Sequence, residues 1–131
     1  MKRYFHITRK ENLKSIKKNG LTSNKEGDIF LFEFERYVHP VFNETNYVIN
    51  HIAENQAFID GECILIEVNP AGFENDLFSD DVAEFTARWQ WILKQPTIKP
   101  EFIINYWFFL IPYNENSVLI DKMGRWYKPV L

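Results

Sequence analysis

A histidine and a threonine two positions apart, His6 and Thr8, close the short apolar run Arg3-Tyr4-Phe5-His6-Ile7 and lead into a charged helical stretch. At the exit of a first strand, alternation sends both side chains to one face. A ligand there meets an imidazole, a hydroxyl and the exposed N–H groups of the helix that follows. The same two residues also have a purely structural use, Thr8 as a helix cap and His6 as a strand residue with a satisfied ring. Among the carboxylates, Glu84 is the best placed for chemistry. It lies between Ala83 and Phe85 beside a tryptophan-rich stretch, and on an extended chain it shares a face with Thr86, Arg88 and Gln90. A charge in such surroundings needs a partner or a purpose. On a helix, Glu84 would instead pair with Arg88 at i,i+4 spacing, worth only about 0.3 kcal/mol.

Other chemistries fit less well. His39, His51 and Cys63 fall at intervals of twelve, whereas structural zinc sites pair their ligands at short spacing, and of these only His51 has a near companion, Glu54. No metal is expected. Cys63 sits inside the apolar run Cys63-Ile64-Leu65-Ile66, which hides a thiol and raises its pKa, so it reads as core packing and not as a nucleophile. With no second cysteine there is no intrachain disulfide, and a reducing, cytoplasmic compartment is the simpler expectation. No glycine-rich phosphate loop follows any strand.

The elements that must position these residues follow from pattern. Thr8 and Glu11 have the spacing of a capping box, Leu13 and Ile16 mark one helical face, and Gly20 suits the residue after the last turn, which predicts a helix over Lys10 to Asn19. After the polar connection Thr22 to Gly27, the run Asp28 to Phe34 predicts a strand. Thr45 to Ala57 has the spacing of a second helix, Glu62 to Val68 that of a buried strand, and Asn69-Pro70-Ala71-Gly72 that of a turn. Residues 73–81 read as an acidic loop. Val82 to Lys94 fits both periods; extended structure is preferred for Arg88 to Lys94, with Trp89 and Trp91 buried. A long strand to Ile111 then enters a hairpin through Tyr113 to Asn116 into Val118-Leu119-Ile120. Strands outnumber helices and the helices fall early, which predicts an α+β domain with largely antiparallel sheets.

At 131 residues and 46 % apolar composition, the chain can bury a proper core but is too short for two ordinary domains, so a single globular domain over residues 1–131 is expected. The N-terminal apolar stretch is broken by His6, Thr8 and Arg9, unlike a signal peptide, and Ile103 to Ile111 is about half the roughly 20 residues that a membrane helix needs. No membrane partner is expected. Charge is unevenly spread. Residues 1–25 hold eight Lys/Arg against Glu11, and residues 26–84 hold fourteen Asp/Glu against Arg36. The basic start of the chain is either a solvated helix face or a surface for an anionic ligand.

Phe5-His6-Ile7-Thr8, Asn12-Leu13 with Ile16 and Gly20-Leu21, and Asp28-Ile29-Phe30-Leu31 together resemble the opening of the ADP-ribosyltransferase-like fold. The likeness is to DNA-modifying ADP-ribosyltransferase toxins and NAD-dependent RNA 2′-phosphotransferases. Glu84-Phe85-Thr86, Gln90-Trp91-Ile92 and Ile98-Lys99-Pro100-Glu101-Phe102-Ile103 resemble the later part of that fold, where the catalytic glutamate precedes a proline-containing turn. The resemblance implies split antiparallel sheets with early helices, NAD as substrate, and a macromolecular acceptor, protein or nucleic acid. It implies that His6 and Thr8 hold the ribose and nicotinamide, that Glu84 is the catalytic carboxylate, and that Phe30 or another aromatic stacks on the nicotinamide. Arg9 or Arg88 would meet the pyrophosphate. No second glutamate stands two residues before Glu84, which points away from arginine as acceptor. The spacing from Glu84 to Pro100 is long for the family, which makes Gln90 a second candidate for the catalytic position and a non-catalytic NAD- or ADP-ribose-binding module the alternative. RNA 2′-phosphotransfer is a further alternative, and the acidic middle of the chain disfavours the strongly basic groove that it needs.

Overall fold

The structure is a computed structural model that describes residues 3–34, 61–71, 73–79, 90–111 and 118–127. Its first strand, β1 (Arg3–Arg9), runs into a 3-10 turn (Lys10–Asn12) and the helix α1 (Leu13–Asn19). Two short strands, β2 (Leu21–Thr22) and β7 (Thr97–Ile98), pair with each other. The remaining strands are β3 (Ile29–Phe34), β4 (Gly61–Val68), β5 (Leu77–Ser79), β6 (Gln90–Leu93), β8 (Ile103–Ile111), β9 (Leu119–Asp121) and β10 (Trp126–Tyr127). With β1 they form an antiparallel sheet in the order β10-β9-β8-β4-β1-β3-β6-β5. The molecule is therefore sheet-rich, mostly antiparallel, with one short helix among the described residues. No described helix is long and apolar enough to cross a membrane.

Both faces of the sheet are buried, as the near-continuous apolar run Cys63-Ile64-Leu65-Ile66 requires of a central strand. On one face Tyr4, Leu31, Ile29, Ile64, Ile66, Val68 and Leu93 pack with Ile16 of α1, and with Leu21 and Ile98 of the small sheet. The opposite face carries Phe5, Phe32, Cys63, Leu65, Trp107 and Phe109, all buried. There the Phe5 ring lies 5.9 Å from that of Phe32 and 6.1 Å from that of Trp107. Cys63 is core packing, and burial pushes its thiol pKa up.

Several sequence expectations need correction. The helical stretch does span Lys10 to Asn19, but its first turn is 3-10 and no capping box forms. Arg9 occupies the cap position with no side-chain cap bond, and the Thr8 hydroxyl instead accepts a hydrogen bond from Asn12 Nδ2 at 2.8 Å. The reason is that β1 continues through Arg9, paired with Cys63 of β4, so Thr8 is held in the ladder and cannot turn back onto the helix. Residues 73–81 are not simply a loop. A 3-10 turn (Glu74–Asp76) is followed by β5, whose Leu77 pairs with Leu93 and packs on the core. Trp91 is half-buried, not buried. The second helix, Trp89 and the hairpin tip at 113–116 lie outside the described residues, although β8 and β9 pair as a hairpin should.

Candidate functional site

β1 has two neighbours, and the two ladders differ in length. Against β4 it pairs from Tyr4–Val68 through Arg9–Cys63, six residues in register. Against β3 it pairs only at Arg3–Phe34, Tyr4–Glu33 and Phe5–Phe32. Beyond that point β3 stays with β6, from Phe32–Gln90 to Ile29–Leu93, while β1 stays with β4. The sheet thus opens between the end of β1 and the start of β3.

His6 is the first residue past the opening. Its Nδ1 lies 2.8 Å from the Phe30 carbonyl oxygen across the gap. A carbonyl can only accept, so Nδ1 carries the hydrogen, and in the neutral ring Nε2 is left as an acceptor. The neutral form is the favoured one. Desolvation pushes the His6 pKa below its ordinary 6.5, and the bond to Phe30 opposes this more weakly. Side-chain and backbone chemistry explain each other here, because an open ladder would otherwise leave the Phe30 carbonyl without a strand partner.

Thr8, two residues on, shares the His6 face and is half-buried; with its oxygen accepting from Asn12, its hydroxyl hydrogen is available to a further acceptor. Arg9 is exposed where the strand passes into the 3-10 turn. Phe30 meets His6 through its backbone. By register its side chain lies on the other face, opposite Ile92, and Gln90 lies on that face too, across from Phe32 and Phe5. The structure therefore brings His6 and Thr8 together on one face, and Phe30 and Gln90 on the other. Glu84 and Arg88 lie outside the described residues, as do His39 and His51.

Three buried carboxylates among the described residues, Glu33, Glu67 and Asp121, were not singled out from the sequence, and the first two lie within long strands beside β1. Glu33, only 9 % exposed, shares the His6 face at the closed end of the gap and accepts a hydrogen bond from Trp91 Nε1 at 3.1 Å. Glu67 receives a bidentate bond from Arg3 on the opposite face, at 2.8 and 2.7 Å. A signal existed for both. Each interrupts a strongly apolar run, and a charge inside a buried strand requires a partner. What the sequence lacked was the partner's identity, since Trp91 lies 58 positions from Glu33 and Arg3 lies 64 from Glu67.

The chain matches no protein-family model, and no curated protein matches it.

Proposed function

We propose that this chain is an NAD-dependent ADP-ribosyltransferase acting on a macromolecular acceptor, built on the ADP-ribosyltransferase-like fold. The observation that supports this most directly is His6, held at an opening in the sheet with Nδ1 committed to Phe30 and Nε2 left as an acceptor. An imidazole so oriented suits a ribose hydroxyl, and Thr8 beside it offers a second polar contact. Breaking the nicotinamide–ribose bond develops positive charge on the sugar, which a carboxylate stabilises as in glycoside hydrolysis. Glu84 takes that role in this proposal, and Arg9 or Arg88 meets the pyrophosphate.

Nicotinamide release from NAD tests the proposal, with wild type compared with Glu84→Gln and Glu33→Gln. The expected outcome is a loss of about 100-fold or more for Glu84→Gln, the size seen when a transition-state contact is removed. Glu33→Gln, which keeps an acceptor for Trp91, should retain most activity. Absence of release by wild type with DNA, RNA and protein acceptors, or equal release by Glu84→Gln, refutes the assignment.

A second reading is a non-catalytic NAD- or ADP-ribose-binding module, in which His6 and Thr8 hold the nucleotide with no carboxylate acting on it; Gln90, on the face away from His6, takes no part in that site. Calorimetry decides between them: binding of NAD with no turnover supports the module, and turnover excludes it.

A further inference from the structure

Between α1, strand β4 and the 3-10 turn that leads into β8 (Pro100–Phe102) lies a groove of about 190 Å³. Its floor is the buried pair Ile16 and Ile66, its walls are the half-buried Leu13, Pro100 and Tyr106, and the exposed Lys17 stands at its mouth. The Tyr106 ring meets Phe108 edge to face, with centroids 5.6 Å apart, and Lys17 Nζ lies 5.3 Å from the Tyr106 centroid. Among the described residues no carboxylate forms an ion pair with Lys17. Glu101, next to Pro100, is exposed and does not line the groove. The groove is separate from the opening at His6. Ile66 pairs with His6 on one side and with Tyr106 on the other, so strand β4 stands between the two, and neither His6 nor Thr8 lines the groove.

We propose that this groove binds a small aromatic monocarboxylate, its ring among Ile16, Ile66 and Tyr106 and its carboxylate at Lys17. Aliphatic side chains around open space lose contacts that a filled core would make, and a ring restores them. Size limits the occupant. An apolar cavity of about 150 Å³ admits a benzene-sized ring, whereas ordinary small-molecule sites begin at roughly 300 Å³, so the groove takes one ring with a short substituent and is too small for a dinucleotide. Shape favours an aromatic one, because Tyr106, packed edge to face on Phe108, offers a fixed aromatic surface, and paired rings gain more than their buried area alone. Charge sets the sign and number. A single ammonium at the mouth of an otherwise apolar groove matches one negative charge, and a second would face Leu13 and Pro100 without a partner, at a desolvation cost.

The test is isothermal titration calorimetry of the full chain with phenylpropanoate, compared with its neutral amide phenylpropanamide and with octanoate, which has the charge but no ring. The expected dissociation constant for phenylpropanoate is on the order of 100 µM. The amide should bind about fivefold more weakly for want of the charge, and octanoate about fivefold more weakly for want of the ring. Lys17→Gln should bring the acid down to the affinity of the amide and leave the amide unchanged, a split that a merely structural effect of the substitution does not produce. Leu13→Trp should abolish binding of all three by filling the groove, while Lys25→Gln, in the turn leading into β3, leaves every affinity unchanged. Lys17 is exposed, so its variant keeps the fold even if Leu13→Trp does not. No binding of phenylpropanoate at millimolar concentration, equal affinity for acid and amide, tighter binding of octanoate, or an equal effect of Lys25→Gln overturns the proposal. The titrations contain no NAD, so failure here is separate from failure of the transferase reading.

Discussion

His6 joins chemistry and architecture in one side chain. Its hydrogen bond to Phe30 fixes the tautomer, and its desolvated site lowers its pKa, so protonation is opposed in the folded state. The unfolded chain takes up a proton at about 6.5, and the folded chain does so only at lower pH. Between those values the unfolded state binds more protons, so the contribution of His6 to stability is complete above pH 6.5 and is lost as pH falls through the folded value. Chemical-denaturation midpoints of wild type and His6→Asn, measured from pH 7.5 downwards, check this. Asparagine retains a donor near the Nδ1 position and does not titrate, so the variant should lose less stability than wild type over that interval. At the same scale, Glu67 is 8 % exposed and clasps Arg3 through two short bonds. Glu67→Ala should cost about 3 kcal/mol, because it removes two charge-assisted hydrogen bonds from a guanidinium in a largely buried site; urea denaturation at neutral pH measures this.

At the scale of elements, the sequence was explicit wherever structure is local. The helical stretch read over Lys10 to Asn19 and the strands read over Asp28 to Phe34 and Glu62 to Val68 lie within a residue of the observed elements, because short bounded apolar runs and the residues that end them act locally. The failures came where a distant partner decided the outcome. Thr8 cannot cap because β4 holds β1 extended, and β5 exists because Leu77 finds Leu93. Gly20 shows both effects. Its place after the last helical turn was legible, and its φ of 83° agrees. Its second constraint was not: a Cβ there would collide with the Ile98 carbonyl oxygen, where the chain leaving α1 crosses β7. Gly20→Ala should therefore destabilise by at least about 2 kcal/mol, beyond the cost of the positive φ alone. A thermal melt checks it, with Gly27→Ala as the comparison, because that site has a similar φ of 80° and open space around it.

For the whole molecule, the division into two cores governs which losses matter. Ile64 faces the α1 side and Leu65 the other, and both are fully buried. Ile64→Ala and Leu65→Ala should each cost about 3 kcal/mol, whereas Leu110→Ser, at an exposed position on neighbouring β8, should stay within about 0.5 kcal/mol. Denaturant titration of the three variants tests whether both faces are equally essential. The proposed reaction belongs to this scale as well, because the opening between β1 and β3 arises when two halves of one sheet follow different partners.

The sequence alone determined the antiparallel, strand-dominated character of the chain, the position of its first helix, and the placing of His6 and Thr8 on one face, because periodicity and turn chemistry act over a few residues. Tertiary structure decided the rest: that the ladder between β1 and β3 opens after Phe5, that the His6 ring crosses the gap to Phe30, and that Gln90 lies on the face away from His6. Strand order and register are set by side chains dozens of positions apart competing for the same neighbours, and no local pattern encodes which of them wins.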